Sequence, residues 1–282
     1  MKKRIGFGFA LMLLACTALA AGPSGVRKQV EASMLVTGTI GIAPDGTVSD
    51  STLDSPEKLP PGIVDFVQKQ VSDWRFEPIA IDGRPVHAQT KMSVRVVSKK
   101  LDAGDYTIEI RSATFGDPKK EAKEQRVTSR HMSPPRYPVA AAKSGVSGTV
   151  YLLLRIGRDG RVEDVVAEQV NLRNVGSDGA MTRWRRMLSD AAKSAARQWQ
   201  FVPPTQGDLA NEPYWVLRTP VDFMLGLSLP KYGSWQPYVP GLRETPGWGK
   251  EKFDTGSDAL ADGGVYMLGV SGPRLLTQLG GT

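Results

Sequence analysis

Along the second half of the chain, Val150, Leu152, Leu154 and Ile156 alternate with Thr149, Tyr151, Leu153 and Arg155, the period of a half-buried strand. Asp159-Gly160 follows between two alternating runs. Gly accepts the positive φ of a tight hairpin there, and Asp bonds back to nearby amides. Val162 to Val170 is then the returning strand. From Met181 onward, Trp184, Leu188, Ala192, Ala195 and Trp199 recur at spacings of three and four, which puts them on one helical face. Ser177 or Asp178 supplies the N-cap. The helix has to stop before Phe201-Val202-Pro203-Pro204, because proline disfavours the helical conformation in the residue before it and has no amide to donate. A last strand places Trp215, Leu217, Thr219, Val221, Phe223 and Leu225 on one face. Pro220 interrupts it, and a proline is tolerated on an edge, where the missing N–H removes no ladder bond.

The same order occurs earlier. Gly38-Thr39-Ile40 is echoed by Gly148-Thr149-Val150, Pro44-Asp45-Gly46-Thr47-Val48 by Arg158-Asp159-Gly160-Arg161-Val162, and Trp74-Arg75-Phe76-Glu77-Pro78 by Trp199-Gln200-Phe201-Val202-Pro203. The unequal spacing of these markers reads as a diverged duplication of strand, turn, strand, helix, strand. In the first copy the pattern predicts a helix from Pro61 to Trp74 that buries Ile63, Val67, Val71 and Trp74, with Pro60 and Pro61 in its first turn. The closing strand carries Val86, Ala88, Thr90, Met92, Val94 and Val96 on one side and His87, Gln89, Lys91 and Arg95 on the other. Tyr106 to Arg111 reads as one extra strand. Asp117 to Arg130 reads as a charged connector, and the Gly/Pro-rich stretch after Leu229 as an irregular or flexible tail. The expected divisions are therefore 1–20, 24–116, 117–130, 131–228 and 229–282.

Composition changes this picture mainly at the N-terminus. Lys2, Lys3 and Arg4 precede an uncharged apolar run from Ile5 to Ala21, the layout of a secretory signal peptide. Ala18-Leu19-Ala20 favours cleavage before Ala21, which would export the protein to the periplasm and remove Cys16, the only cysteine. Two alternatives stand behind it. Leu13-Leu14-Ala15-Cys16 is a passable lipobox, and the run could stay uncut as an inner-membrane anchor, although it is at the short end of the roughly 17–25 residues a span needs. Losing the three basic residues of the leader lowers the formal charge from +7 to +4. The remaining Lys and Arg interleave with Asp and Glu, so nucleic-acid binding is not expected.

Ser133-Pro134-Pro135-Arg136-Tyr137-Pro138, a short helix from Val139 to Lys143, Gly148-Thr149-Val150, the Asp159-Gly160 turn and Trp199-Gln200-Phe201-Val202-Pro203 together resemble the TonB C-terminal domain. The resemblance covers Met132 to Leu225, and Val36 to Lys99 is similar to the same domain without its Tyr-Pro lead-in. It implies an α+β fold of two modules, each a small antiparallel sheet with a helix packed on one face. It also implies an energy transducer that meets a segment of a TonB-dependent outer-membrane receptor by adding a strand to its sheet. On that resemblance, Pro134, Pro135, Arg136, Tyr137 and Pro138 and the strand residues Trp215, Val216, Leu217, Arg218, Thr219, Val221 and Phe223 would flank the partner. The family's uncleaved N-terminal helix and long Pro-rich linker are not matched, so a cleaved leader would cut the link to the proton gradient and leave partner binding intact. A non-energised structural or scaffolding protein of the cell envelope is the alternative, and homodimerisation or pairing of the two modules stays open.

Catalysis is not expected. His87 and His131 are the only histidines, neither sits beside a serine or acid in a recognisable motif, and no mature cysteine remains. Two distant histidines make no metal-ligand spacing, and the Asp-Gly pairs lack the further oxygen ligands of a calcium loop, so neither a metal nor a cofactor is expected. Trp74 and Trp199, at the ends of amphipathic helices, suit core packing. Trp235 and Trp248 lie in the tail, where docking on the modules and docking on a partner are both open.

Overall fold

The structure is a computed structural model and describes residues 23–101, 104–116, 122–226, 230–248, 265–268 and 272–280. The leader with its cleavage positions and Cys16 lies outside these residues, as do 117–121 of the connector and 249–264 of the tail. No helix among the described residues is long and apolar enough to cross a membrane.

The described chain opens with α1 (Pro23–Arg27) and enters a sheet made of β1 (Glu31–Ile42) and β2 (Val48–Leu53). Then come α2 (Ile63–Ser72) and a small hairpin of β3 (Ala80–Ile81) and β4 (Arg84–Pro85). The sheet is completed by β5 (Ala88–Lys100) and β6 (Tyr106–Phe115), with β1 central between β2 and β5 and β6 outside β5. Met34, Val36, Ile40 and Ile42 of β1 and Met92, Val94 and Val96 of β5 turn one face toward Ile63, Val67 and Val71 of α2. The expected helix thus begins two residues late, behind Gly62 at φ 80, because the prolines at 60 and 61 stay in the preceding turn. The extra strand runs on to Phe115, whose ring packs edge-on against Phe76 at 4.9 Å and Trp74 at 5.7 Å.

The connector is not all loop. β7 (Thr128–His131) pairs with β10 (Gln200–Val202), and Val127 just before it is buried in the second core. That core lies between α4 (Asp178–Ala196) and a sheet of β8 (Gly148–Ile156), β9 (Val162–Leu172) and β11 (Trp215–Phe223), ordered β11-β8-β9. Ser177 caps α4, its hydroxyl accepting from the Ala180 amide at 3.4 Å. Val150, Leu152, Leu154 and Ile156 of β8 are fully buried against Met181, Leu188, Ala192 and Ala196. Leu225, expected in the last strand, lies beyond its end and is exposed. A short α3 (Val139–Lys143) precedes β8. α1 packs its Val26 into this second core although it leads into the first sheet.

The two turns match in detail. Gly46 and Gly160 have φ of 82° and 78°, and their carbonyls accept from the Phe76 and Phe201 amides, each at 2.8 Å. Asp45 and Asp159 accept from the amides two residues on, at 3.0 and 2.9 Å. A Cβ on either glycine would sit 2.1 Å from a phenylalanine carbonyl oxygen. Gly160→Ala therefore meets both a left-handed φ and a backbone clash, and is expected to cost more than about 1 kcal/mol, read as a lowered denaturant midpoint. An unchanged midpoint would contradict this account of the turn.

The tail is irregular, yet it is fastened to both modules. β12 (Gln236–Tyr238) pairs with Glu31–Ser33 of β1, and Val239 bridges Leu172 at the outer side of β9. β13 (Tyr266–Met267) pairs with β11, and Leu275 bridges Phe76 of the first module. Its apolar residues have no period because they fill surfaces that the sheets have already made. Trp235 packs on the first core. Trp248 packs beside Leu153 and Val216 of the second sheet and donates from Nε1 to Asp164 at 2.7 Å.

Candidate functional site

The segment Pro134–Pro138 and strand β11 meet through one aromatic contact. Tyr137 sits edge-on to Phe223 with ring centroids 5.5 Å apart, and its hydroxyl donates to the Val146 carbonyl just before β8. Burial raises the Tyr137 pKa above its ordinary value against the opposing charge of Arg173, so the ring stays neutral and able to donate. The lead-in is held at its other end by Trp199, whose Nε1 donates to the Ser133 carbonyl at 2.8 Å. Pro134 and Arg136 remain exposed, while Pro135, Tyr137 and Pro138 are half-buried.

β11 is paired with β8 over nine residues, from Trp215 opposite Ile156 to Phe223 opposite Gly148. Trp215, Leu217, Thr219, Val221 and Phe223 face the helix, as the alternation predicts, and all five are buried. On the outer side, the Leu268 amide donates to the Val216 carbonyl at 2.9 Å. Because backbone groups alternate sides along a strand, residues 216, 218 and 222 point their N–H and C=O outward, and Pro220 points its carbonyl the same way. Pro220 therefore interrupts the outer edge and not the ladder to β8, which is the physical basis for its place in this strand.

Val216 and Arg218, which the resemblance assigns to partner contact, are covered. The pairing of β13 sets Met267 opposite Leu217 and Tyr266 opposite Arg218. On the face away from α4, Leu268 packs with Leu153 and Val216 beside Tyr214 and Trp248. Arg218 is 3% exposed and grips Glu168 of β9 across β8, with Nε and Nη2 each 2.7 Å from a carboxylate oxygen. Arg243 of the tail approaches the same carboxylate at 3.9 Å, and the Glu244 amide donates to the Glu168 carbonyl at 2.7 Å.

The faces of the two sheets that carry no helix look toward each other across a cleft of about 620 Å³ whose lining includes Ser33, Thr37, Thr149, Tyr151, Pro220 and Asp222. Asp222 accepts from the Thr149 hydroxyl at 2.6 Å and from Arg173 at 2.9 Å. At the far end of the first sheet, Arg111 binds Glu31 and Glu109, and Tyr238 of β12 accepts from Arg111 at 3.0 Å and donates to Glu31 at 2.8 Å. Burial opposes the Arg111 charge, but the bonds to Glu31 and Glu109 outweigh it and hold its pKa above the ordinary value. This cluster ties the tail to β1 and β6.

Sequence reasoning missed Glu168 and β13. A strand residue reaching across a neighbouring strand leaves no local signal. β13 did leave one, the apolar run Val265-Tyr266-Met267-Leu268 set between glycines at 263–264 and 269. Each histidine ring meets a serine hydroxyl that sequence reasoning did not pair with it. His87 lies 2.8 Å from Ser49 and His131 2.8 Å from Ser133, both on the exposed surface and outside the cleft.

No family model matches the chain. It is 34% identical over 99 residues to the proteins named TonB from two strains of Xanthomonas campestris pv. campestris, covering 35% of this chain and 38% of each relative. It is also 34% identical over 95 residues to the protein named tonB2 from Pseudomonas aeruginosa, covering 34% of this chain and 30% of that one. The matched region thus spans well under half the length of these relatives. A solution structure of the Pseudomonas aeruginosa TonB C-terminal domain is similar over 40% of this chain and 95% of its own, with 20% identity and a TM-score of 0.24. The sequence similarity to proteins named TonB spans 35% of the chain and supports a TonB C-terminal-like family for that stretch.

Proposed function

We propose that this is a periplasmic TonB-family protein of outer-membrane receptor transport, exported by its leader, that binds extended receptor segments by strand addition to β11. The observation that carries the reading is the outer side of β11. Among the described residues only a two-residue strand pairs with it, whereas its inner side is paired over nine. An extended peptide completes such an edge through main-chain bonds and gains specificity from alternate side chains. The 34% identity to TonB proteins supports the choice of partner. The divisions 24–116 and 131–228 stand as the two modules of this proposal, and the matched turns at Gly46 and Gly160 support an internal duplication.

The test is a titration of the full chain with N-terminal segments of outer-membrane receptors, followed by amide chemical shifts. Saturable shifts are expected along Trp215–Phe223 and Pro134–Pro138. Saturation that leaves both stretches unmoved would rule out the site. One observation favours the scaffold reading instead: tail residues 239–244 also bond along the outer side of β9, so the protein's own chain lies on both sides of the second sheet. In that case receptor segments do not bind at any concentration, and envelope partners engage other surfaces.

A further inference from the structure

We infer that Val265–Leu268 is a resident strand that holds the acceptor edge of β11 closed, and that an incoming segment has to displace it. The inference rests on reading β11 as the receiving edge. Four residues of β11 point backbone groups outward, and they are not equivalent. Val216 and Arg218 each offer an N–H and a C=O. Pro220 offers only a carbonyl, and Asp222 is isolated behind it. β13 and Leu268 occupy the two complete positions. No second strand can pair fully with this edge while they remain, so binding and release of the resident strand are one competition.

The resident strand is built for exchange. Among the described residues, only Tyr266–Met267 and the Leu268 amide engage this edge of β11, against nine-residue ladders on either side of β8. A net contribution of about 0.5–1.5 kcal/mol per hydrogen bond makes so short a ladder easy to open. The first module marks the contrast. There β6 takes the corresponding side of β5 along Met92–Lys100 and seals it with Phe115 in the core. On that side of its own strand the second module has, among the described residues, only the short segment.

The segment also describes its competitor. The partner is an extended peptide, antiparallel to β11, that presents an apolar side chain where Leu268 meets Leu153 and Val216. A second apolar side chain falls on the opposite face, where Met267 lies against the helix-side core. A partner longer than β13 engages the carbonyl of Pro220 and the groups of Asp222 as well, with which no tail strand pairs among the described residues, and this is what lets it win.

The test uses the full chain and two variants, Tyr266→Pro, which removes the amide facing Arg218, and Leu268→Asp, which spoils the apolar seat. The probe is a labelled synthetic peptide of this chain's own residues 263–270. It is expected to bind both variants at least about tenfold more tightly than the unmodified chain, because the competent edge is no longer occupied. Amide exchange at Val216 and Arg218 is expected to accelerate in the variants and slow again with peptide. Equal affinity for all three chains, or peptide protection that falls outside β11, overturns the inference. If one variant fails to fold, the other carries the comparison. Receptor segments form a separate arm. If the chain's own peptide behaves as expected while receptor segments bind none of the three chains, the resident strand stands and the receptor assignment falls. If receptor segments bind all three chains equally, the resident strand falls and the assignment stands.

Discussion

Replacing Arg218 by alanine is expected to destabilise the second module by about 3–5 kcal/mol, measured by chemical denaturation of the full chain. The guanidinium and the Glu168 carboxylate are 3% and 4% exposed, and they satisfy each other through two parallel bonds of 2.7 Å. Alanine would leave the carboxylate buried, with Arg243 as its nearest described cation at 3.9 Å. The cost comes from the stranded charge more than from the lost attraction. The double variant Arg218→Leu with Glu168→Leu is therefore expected to be close to neutral or more stable than the single variant by several kcal/mol, since both desolvation penalties vanish together. If the double variant is as unstable as the single one, the pair stabilises the fold in its own right and this account fails.

The second large effect is at Trp199, where alanine is expected to cost about 3–5 kcal/mol. The indole is 3% exposed in the second core, and its N–H holds the Ser133 carbonyl at 2.8 Å. The variant both opens a cavity and releases the strip that leads to Tyr137. Trp199→Phe keeps most of the packing and loses the bond, so a loss nearer about 1 kcal/mol is expected. Amide exchange across 133–138 separates the two contributions. It should rise in both variants, and exchange confined to α4 would show that Trp199 does not anchor the strip.

Both residues show how far the chain could be read in advance. Trp199 was legible as core because it continues the helical spacing from Trp184 through Leu188, Ala192 and Ala195, and its twin Trp74 follows the other helix in the same way. Arg218 was read only as one of the last-strand residues that would flank a partner. Its carboxylate partner lies 50 residues away on a strand that is not its neighbour. Periodicity reports which way a side chain points, and it cannot report what lies on the far side of the sheet. Leu153, Val216 and Arg218 fall at polar-facing positions of their strands, and burial by Leu268, Trp248 and the Glu168 pair makes them interior.

The sequence by itself determined the local elements: the two hairpin turns, where only glycine fits the left-handed backbone, the two amphipathic helices and their stops, and the strands they cover. These follow from contacts a few residues apart, so pattern and propensity suffice. Tertiary structure alone decided what closes the sheets. The tail strand on β11, the tail residues along β9 and the Arg111–Glu31–Tyr238 cluster on β1 join segments up to 207 residues apart. An irregular segment that borrows its hydrogen bonds from edges already formed carries no period of its own, and so its destination becomes visible only once the sheets exist.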